Sequence, residues 1–342
     1  MPFSVDDLAA HAGVSVELLE KLSSALPAGA GRLYTTWTSR KKHGGIREIV
    51  MPRPPFDAIS KNLHRSFTAL LPYEAPDHVH GFVRKRSTVS NASQHLGKSC
   101  VLRVDLEDFF PSISSAMIKA SLQAQGYEEK AADTAVSIVT IASKLPIGLS
   151  TSPFLSNLVF LSTDRSLAEY VQSVGLSFTR YVDDLTFSGE VTDRHLADID
   201  RILDDAGWSV NTRKTAFMRR GGRQYVTGLY VGEADRPRIP RKIKRRMRWI
   251  LHMISKFGYD TYMAEFGGEE EEMKRHRLLG WACYIAAVEP DLGYPLLREF
   301  DELVSEGYGG DIFPEGYDDV VPERYGDPAD WVDVVEDLDD LL

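Results

Sequence analysis

The stretch from Phe178 to Gly189 constrains this chain more than any other. Two short runs rich in β-branched and aromatic residues, Phe178–Val182 and Leu185–Gly189, flank Asp183 and Asp184. The pattern predicts a β-hairpin with two carboxylates at its tip. Adjacent carboxylates on a tight turn repel one another and lose hydration when covered, so a fold retains such a tip where a cation neutralises it. Oxygen-only ligands suit a hard divalent metal, most simply Mg²⁺. Asp-Asp is also an ordinary turn dipeptide, and the rest of the chain decides between these readings.

Upstream, Val101–Leu106 alternates with period two and sets Asp105 on the face opposite Leu102, Val104 and Leu106. A strand of this kind beside the hairpin lets Asp105 and Asp183 hold two metal ions, the arrangement that clamps the attacking and leaving oxygens of phosphoryl transfer. Tyr181-x-Asp183-Asp184 with a partner Asp on a neighbouring strand resembles the palm of the reverse transcriptases. The resemblance implies an α+β right-hand polymerase of fingers, palm (an antiparallel sheet backed by helices) and helical thumb. It divides the chain into fingers with part of the palm (31–100), palm (101–235) and thumb (236–306), between a helical lead-in (1–30) and a poorly ordered acidic tail (307–342) expected from residue pattern and composition.

Charge fits nucleic acid once it is divided along the chain. The net charge is −10, but from Asp311 onward twelve acids face one arginine, which leaves the remainder near neutral. Arg236–Arg248 places eight Lys and Arg in thirteen positions, and local charge governs attraction to phosphate. The widely spaced Cys100 and Cys283 suggest reduced thiols in a cytoplasm. No apolar run is long enough to span a membrane, and the start lacks signal-peptide features.

In chain order, Ser4 as N-cap and apolar residues at helical spacing predict a helical lead-in with the look of a helix-turn-helix. Glu17 and Glu20, standing where base-reading side chains would be, favour packing over DNA reading. A basic hairpin then carries Lys41, Lys42 and Arg47, suited to a triphosphate; the resemblance makes Lys42 and Arg47 contacts to the incoming nucleotide. Arg84, Lys85 and Arg86 suit a nucleic-acid backbone, and a helix start is expected at Ser90. Asn91 and His95, one helical turn apart, are expected to present amide and imidazole together to an RNA edge or ribose.

After Asp105, the family places a bulky side chain beside the sugar C2′ to exclude ribonucleotides; here it is Phe110, with Phe109 expected in the core. Ser152 as N-cap and Pro153 at N1 are expected to open a helix. The preceding Leu145-Pro146-Ile147-Gly148 resembles the family's nucleotide-approaching turn, with Ile147 where many relatives carry Gln. Lys214 aligns near the triphosphate or leaving pyrophosphate. Val226-Thr227-Gly228 lies in an apolar hairpin that fits a primer-supporting element.

Asn91-Ala92-x-x-His95 and Val226-Thr227-Gly228 are two hallmarks of the reverse transcriptases of bacterial retrons, and the chain is similar to that family over about residues 30–305. The likeness implies copying of a cognate structured non-coding RNA from an internal guanosine 2′-OH into branched RNA-linked single-stranded DNA (msDNA). It implies dNTPs as substrates, two Mg²⁺ ions held by Asp105, Asp183 and Asp184, a separate effector protein and a role in antiphage defence. Asn91, His95, Val226, Thr227 and Gly228 are expected at the RNA. So are Arg241, Lys242 and Arg245 of a basic helix whose apolar face carries Ile243, Met247, Ile250 and Ile254; a membrane-surface helix is the rival reading of that segment. An intron-encoded or abortive-infection type of reverse transcriptase, and a non-catalytic RNA-binding scaffold, remain open at this stage. In the tail, Tyr317-Asp318-Asp319 repeats the triplet without a strand before it, and Trp331 and Leu338 fit either a solvated tail or one that docks a basic partner.

Overall fold

Capping chemistry opens the fold, seen here in a computed structural model that describes residues 3–26, 33–40, 45–267 and 271–305. Ser4 and Asp7 form a reciprocal capping box at α1 (Val5–Ala12), Gly13 ends that helix at φ 71°, and Ser15 caps α2 (Val16–Ala25). Strands β1 (Tyr34–Arg40) and β2 (Ile46–Pro52) pair as an antiparallel ribbon. Helix α3 (Pro54–Leu70) starts on a proline at N1, and a short α4 (Thr88–Ser93) precedes the central strand β3 (Cys100–Asp105).

Helices α5 (Phe109–Ser112), α6 (Ser115–Ala124), α7 (Glu129–Val139) and α8 (Ser152–Ser173) follow. The hairpin β4 (Ser177–Tyr181) and β5 (Asp184–Gly189) leads to α9 (Asp193–Asp205), β6 (Ala216–Arg219) and the small pair β7 (Tyr225–Val226) and β8 (Leu229–Tyr230). Helix α10 (Arg241–Phe257), the short α11 (Tyr259–Tyr262), a π-helical turn over Met263–Gly267, α12 (Glu271–Val288) and α13 (Pro290–Ser305) complete the chain.

The antiparallel order β4-β5-β3-β6 makes a four-stranded sheet. Because side chains alternate across a strand, one face collects Leu102, Val104, Phe178, Arg180, Leu185 and Phe187. The other collects Val101, Arg103, Asp105, Thr179, Asp184, Thr186 and Ser188. The first face packs on the larger core with α8, where Phe160 and Phe187 are fully buried; burial stabilises each by about 2–3 kcal/mol relative to exposure. The lead-in helices join this core through Leu8, Leu19 and Leu22, packed beside α3 and α7.

A second core lies on the other face. Met247, Ile250, Leu251 and Ile254 of α10 meet Trp281, Tyr284 and Phe300 of α12 and α13, together with Ala92, Val101, Val226 and Leu229. Glu289, buried between α12 and α13, accepts from Ile239 N at 2.7 Å and pairs with Lys244 Nζ at 2.6 Å, so one carboxylate fastens the start of α10.

Two helix starts differ from the sequence expectation. Ser87, not Ser90, caps α4; Ser90 is the partner three residues on whose hydroxyl answers the Ser87 backbone. Ser152 is the first residue of α8 behind Thr151, because its hydroxyl donates to the Pro146 carbonyl at 2.7 Å. Among the described residues both cysteines are free and buried, and no helix is long and apolar enough to cross a membrane. Tyr317–Asp319, Trp331 and Leu338 lie outside the described residues.

Candidate active site

The sheet register brings the acids together. Asp105 ends β3 directly opposite Asp184, the first residue of β5, and Tyr181 lies on Asp184's other side. The turn therefore consists of Val182 and Asp183, and only Asp183 of the pair is at the tip. Leu106 N donates to Asp183 O at 3.1 Å, which ties the turn to the end of β3. Ser209–Thr215 wraps the same end: Glu107 N donates to Ser209 O at 2.8 Å, and Asn211 N donates to Asp105 O at 2.8 Å.

Three cations answer the three carboxylates. Lys214 Nζ lies 3.2 Å from Asp105 Oδ1, and Arg103 Nε lies 3.0 Å from Asp184 Oδ2. Arg47, on β2, acts on Asp183 through its charge. Even so, burial and the neighbouring Asp105 charge push Asp183 up to about 6, against the pull of Lys214 and Arg47. Burial pushes Asp184 up to about 7, with Arg103 opposing and the other two acids adding to the rise. The site thus holds more negative charge than its hydration tolerates. Arg103 was missed in the sequence, although alternation alone places it on the face of Asp105, two residues away.

The turn is held from behind. Val182 has φ 59°, a backbone state costing a β-branched residue on the order of 1–3 kcal/mol unless its surroundings enforce it. Arg180, fully buried, makes two bonds to Asp164 of α8 at 2.8 and 2.6 Å, donates to Asn157 Oδ1 at 3.0 Å and donates to the Val182 carbonyl at 3.0 Å. Gly81 covers the turn from the other side, where a Cβ would collide with the Val182 amide nitrogen. Nothing in the sequence pairs Arg180 with Asp164 or Asn157, since each contact joins a strand to the helix before it.

Strand β2, which carries Arg47, is locked to the Leu145–Gly148 turn. Val50 N donates to Ile147 O at 2.8 Å, and Gly148, at φ 114°, sits where a Cβ would collide with the Val50 carbonyl. Gly148 thus serves the approach of the ribbon's backbone, and Ile147 contributes its carbonyl to that junction. Phe109 is buried against Phe160 and Trp208, whereas Phe110 is half-buried. Lys41 and Lys42 lie outside the described residues.

The residues expected at RNA divide sharply. Asn91 and His95 are fully buried and present nothing to an RNA edge. His95 Nδ1 meets Ser188 Oγ at 2.6 Å and its Nε2 meets Thr179 Oγ1 at 2.7 Å, so the imidazole bridges β5 and β4; burial drives its pKa down to about 3. Helix α4 ends at Ser93, so the two residues do not share a helical face. Val226 is buried in the second core, Thr227 Oγ1 donates to Thr88 O at 3.0 Å, and Gly228 is exposed at φ 76°. The two hallmark segments therefore pack on each other. Arg86 is likewise occupied, donating to the carbonyls of Ala75, Pro76 and Val79. Arg241, Lys242 and Arg245 are exposed along α10.

Comparison with known proteins agrees with this geometry. Residues 39–274 match the family described as reverse transcriptase (RNA-dependent DNA polymerase). The chain is 33% identical to the retron Mx65 reverse transcriptase of Myxococcus xanthus, over 86% of this chain and 70% of that protein. It is 30% identical to the retron Mx162 reverse transcriptase of the same organism, over 88% and 67% respectively. It is 28% identical to the retron Ec86 reverse transcriptase of Escherichia coli, over 84% and 85%.

Proposed function

This chain belongs to the reverse transcriptases, RNA-directed DNA polymerases, and within them to the bacterial retron type, and on that premise we propose that it makes msDNA. It copies a cognate structured non-coding RNA from an internal guanosine 2′-OH, leaving single-stranded DNA branched from RNA. The observation that carries the polymerase chemistry is the convergence of Asp105 and Asp183 at the end of β3 and the tip of the β4–β5 hairpin, and what supports the msDNA product is the likeness to retron enzymes.

The donor set fits divalent metal. Asp105 and Asp183 offer oxygen ligands only, Asp105 already contacts a cation in the Lys214 ammonium, and the carboxylates repel one another enough to favour a further positive charge. Among the described residues no three His, Cys, Asp or Glu side chains form a metal cage of their own, so oxygens of nucleotide and water would complete the ligand set. Two bound Mg²⁺ ions would supply charge stabilisation to the attacking and leaving oxygens. Asp105 and Asp183 are the ligands in this reading, and Asp184, oriented by Arg103, supports them.

Lys42 and Arg47 neutralise the triphosphate of the incoming dNTP, Lys214 adds charge beside the leaving group, and Phe110 crowds the sugar C2′. Arg241, Lys242 and Arg245 follow the nucleic-acid backbone along α10. The fingers, palm and thumb limits given above, a cytoplasmic location, a separate effector protein and antiphage defence belong to the same proposal. Thr227 and Gly228 keep an RNA-facing role in it; Asn91, His95 and Val226 act as the scaffold beneath them.

Asp183→Asn is expected to abolish Mg²⁺-dependent primer extension while RNA binding and the melting temperature stay near wild type. For the product, the protein is expressed with its native flanking DNA, and the co-purifying nucleic acid is treated with RNase. A discrete single-stranded DNA shortened by a debranching enzyme is the expected result. Its absence, with primer extension intact, removes msDNA synthesis and keeps the polymerase.

A further inference from the structure

Phe82 is a large aromatic held where aromatics rarely sit. Its φ is 58° and 41% of its surface is exposed, so neither backbone preference nor core packing accounts for it. Strain of this kind persists where the surroundings over-determine it, and it clusters at functional sites.

The surroundings are the catalytic turn itself. Gly81 lies flat against Val182, and its carbonyl accepts from Asn157 Nδ2 at 3.0 Å. The Oδ1 of that same amide takes the Arg180 guanidinium at 3.0 Å. His80 N donates to Arg180 O at 2.8 Å, and Arg86 anchors the far end of the loop on the Pro76 and Val79 carbonyls. The backbone of Phe82 is thereby indexed to the turn that carries Asp183. From this frame the Phe82 ring meets the Phe110 ring edge-on, with centroids 6.3 Å apart and planes at 68°. Phe110 meets Phe109 on its inner side at 5.6 Å. The three rings form a row that runs from the core to the surface.

We propose that Phe82 is a positioning residue for substrate selection, an outer buttress that stops Phe110 from yielding when a ribonucleotide presses its 2′-OH against that ring. The proposal rests on the reading of Phe110 as the ring beside the sugar C2′. A steric filter excludes only as far as it cannot move. Phe109 blocks retreat of Phe110 into the core, and Phe82 blocks its swing toward solvent. The loop stores the strain so that the ring stands there before the nucleotide arrives.

The test compares kcat/KM for a dNTP and its matching rNTP on one preparation of each variant; the ratio cancels any inactive fraction. Deletion of a side chain that contacts substrate only through another gives a modest loss, so Phe82→Ala is expected to lower the dNTP preference about tenfold and Phe110→Ala about a hundredfold. Phe82→Tyr, which keeps the ring, retains the wild-type preference. The double variant loses no more than Phe110→Ala alone, because the buttress has nothing left to hold. Phe82→Gly accepts a φ of 58° without strain and repeats the measurement if the alanine variant is inactive.

Wild-type preference in both Phe82→Ala and Phe82→Gly, with Phe110→Ala relaxed, overturns the proposal and leaves the filter standing. Unchanged preference in Phe110→Ala overturns the filter reading and the proposal with it. Additive losses in the double variant overturn action through Phe110.

Discussion

Arg180 and Arg103 occupy opposite faces of one sheet, and each meets an aspartate. Arg180 and Asp164 are sealed, with both side chains fully buried and bonds of 2.6 and 2.8 Å. Arg103 and Asp184 are 3.0 Å apart with 43% and 16% of their side chains exposed. The sealed pair also satisfies Asn157 and the Val182 carbonyl. The open pair shares its cleft with two further carboxylates, and Asp184 stands at about 7. An ion pair closed on every side shapes the backbone; in the open pair, burial and the neighbouring acids outweigh the pull of Arg103 on Asp184.

The sharpest way to break this contrast is Arg180→Met. It leaves Asp164 charged and buried, so about 3–5 kcal/mol of stability is expected to be lost in urea unfolding. Adding Asp164→Leu should restore most of that loss, because an apolar pair of similar volume carries no desolvation penalty; polymerase activity is expected to stay low, since no guanidinium then holds the Val182 carbonyl.

A smaller effect tests the other end of the Arg103 face, where His95 bridges Thr179 and Ser188. Its folded pKa, about 3, lies below its ordinary 6.5. The unfolded chain therefore takes up a proton first as pH falls, and stability drops below pH 6.5. Between pH 6 and pH 5 this share is about 1 kcal/mol. His95→Gln should remove that share of the pH dependence, leaving the parallel contribution of His80, which burial depresses to about 4, and the opposing one of Asp183 and Asp184, whose raised carboxyls take up protons first in the folded chain. An unchanged slope would mean that His95 is not sealed.

The least effect on stability is expected from Arg103→Gln, under about 1 kcal/mol because the pair is partly solvated. Its activity should nonetheless fall about 10–100-fold, as when a group orienting a metal-binding carboxylate is removed. A large stability loss without an activity loss would erase the distinction between the two faces.

Strand alternation and hairpin chemistry suffice to find Asp105, Asp183 and Asp184, because period two and turn preference are local properties. The same alternation extends to Arg103. It fails at Asn91 and His95, whose polarity suggests a surface although both are fully buried. For His95 the partners are Ser188 and Thr179 rather than water. Helix starts were legible to within a few residues, since serines near a start compete for the same amide donors.

The amino-acid sequence by itself determined the antiparallel hairpin that carries Asp183, its carboxylate partner on β3, the basic α10 and the family to which the chain belongs; each is written in short-range pattern or in motif order. Only the tertiary structure decided that Arg180 clamps Val182 through α8, that the Asn91–His95 and Val226–Gly228 segments pack together, and that Phe82 stands against Phe110. These contacts join segments whose separation along the chain carries no signal. The first exists because a buried guanidinium finds its partners only in protein, the second because Ala92 and Val226 share one core, and the third because hydrogen bonds to Asn157 and Arg180 fix the loop that carries Phe82.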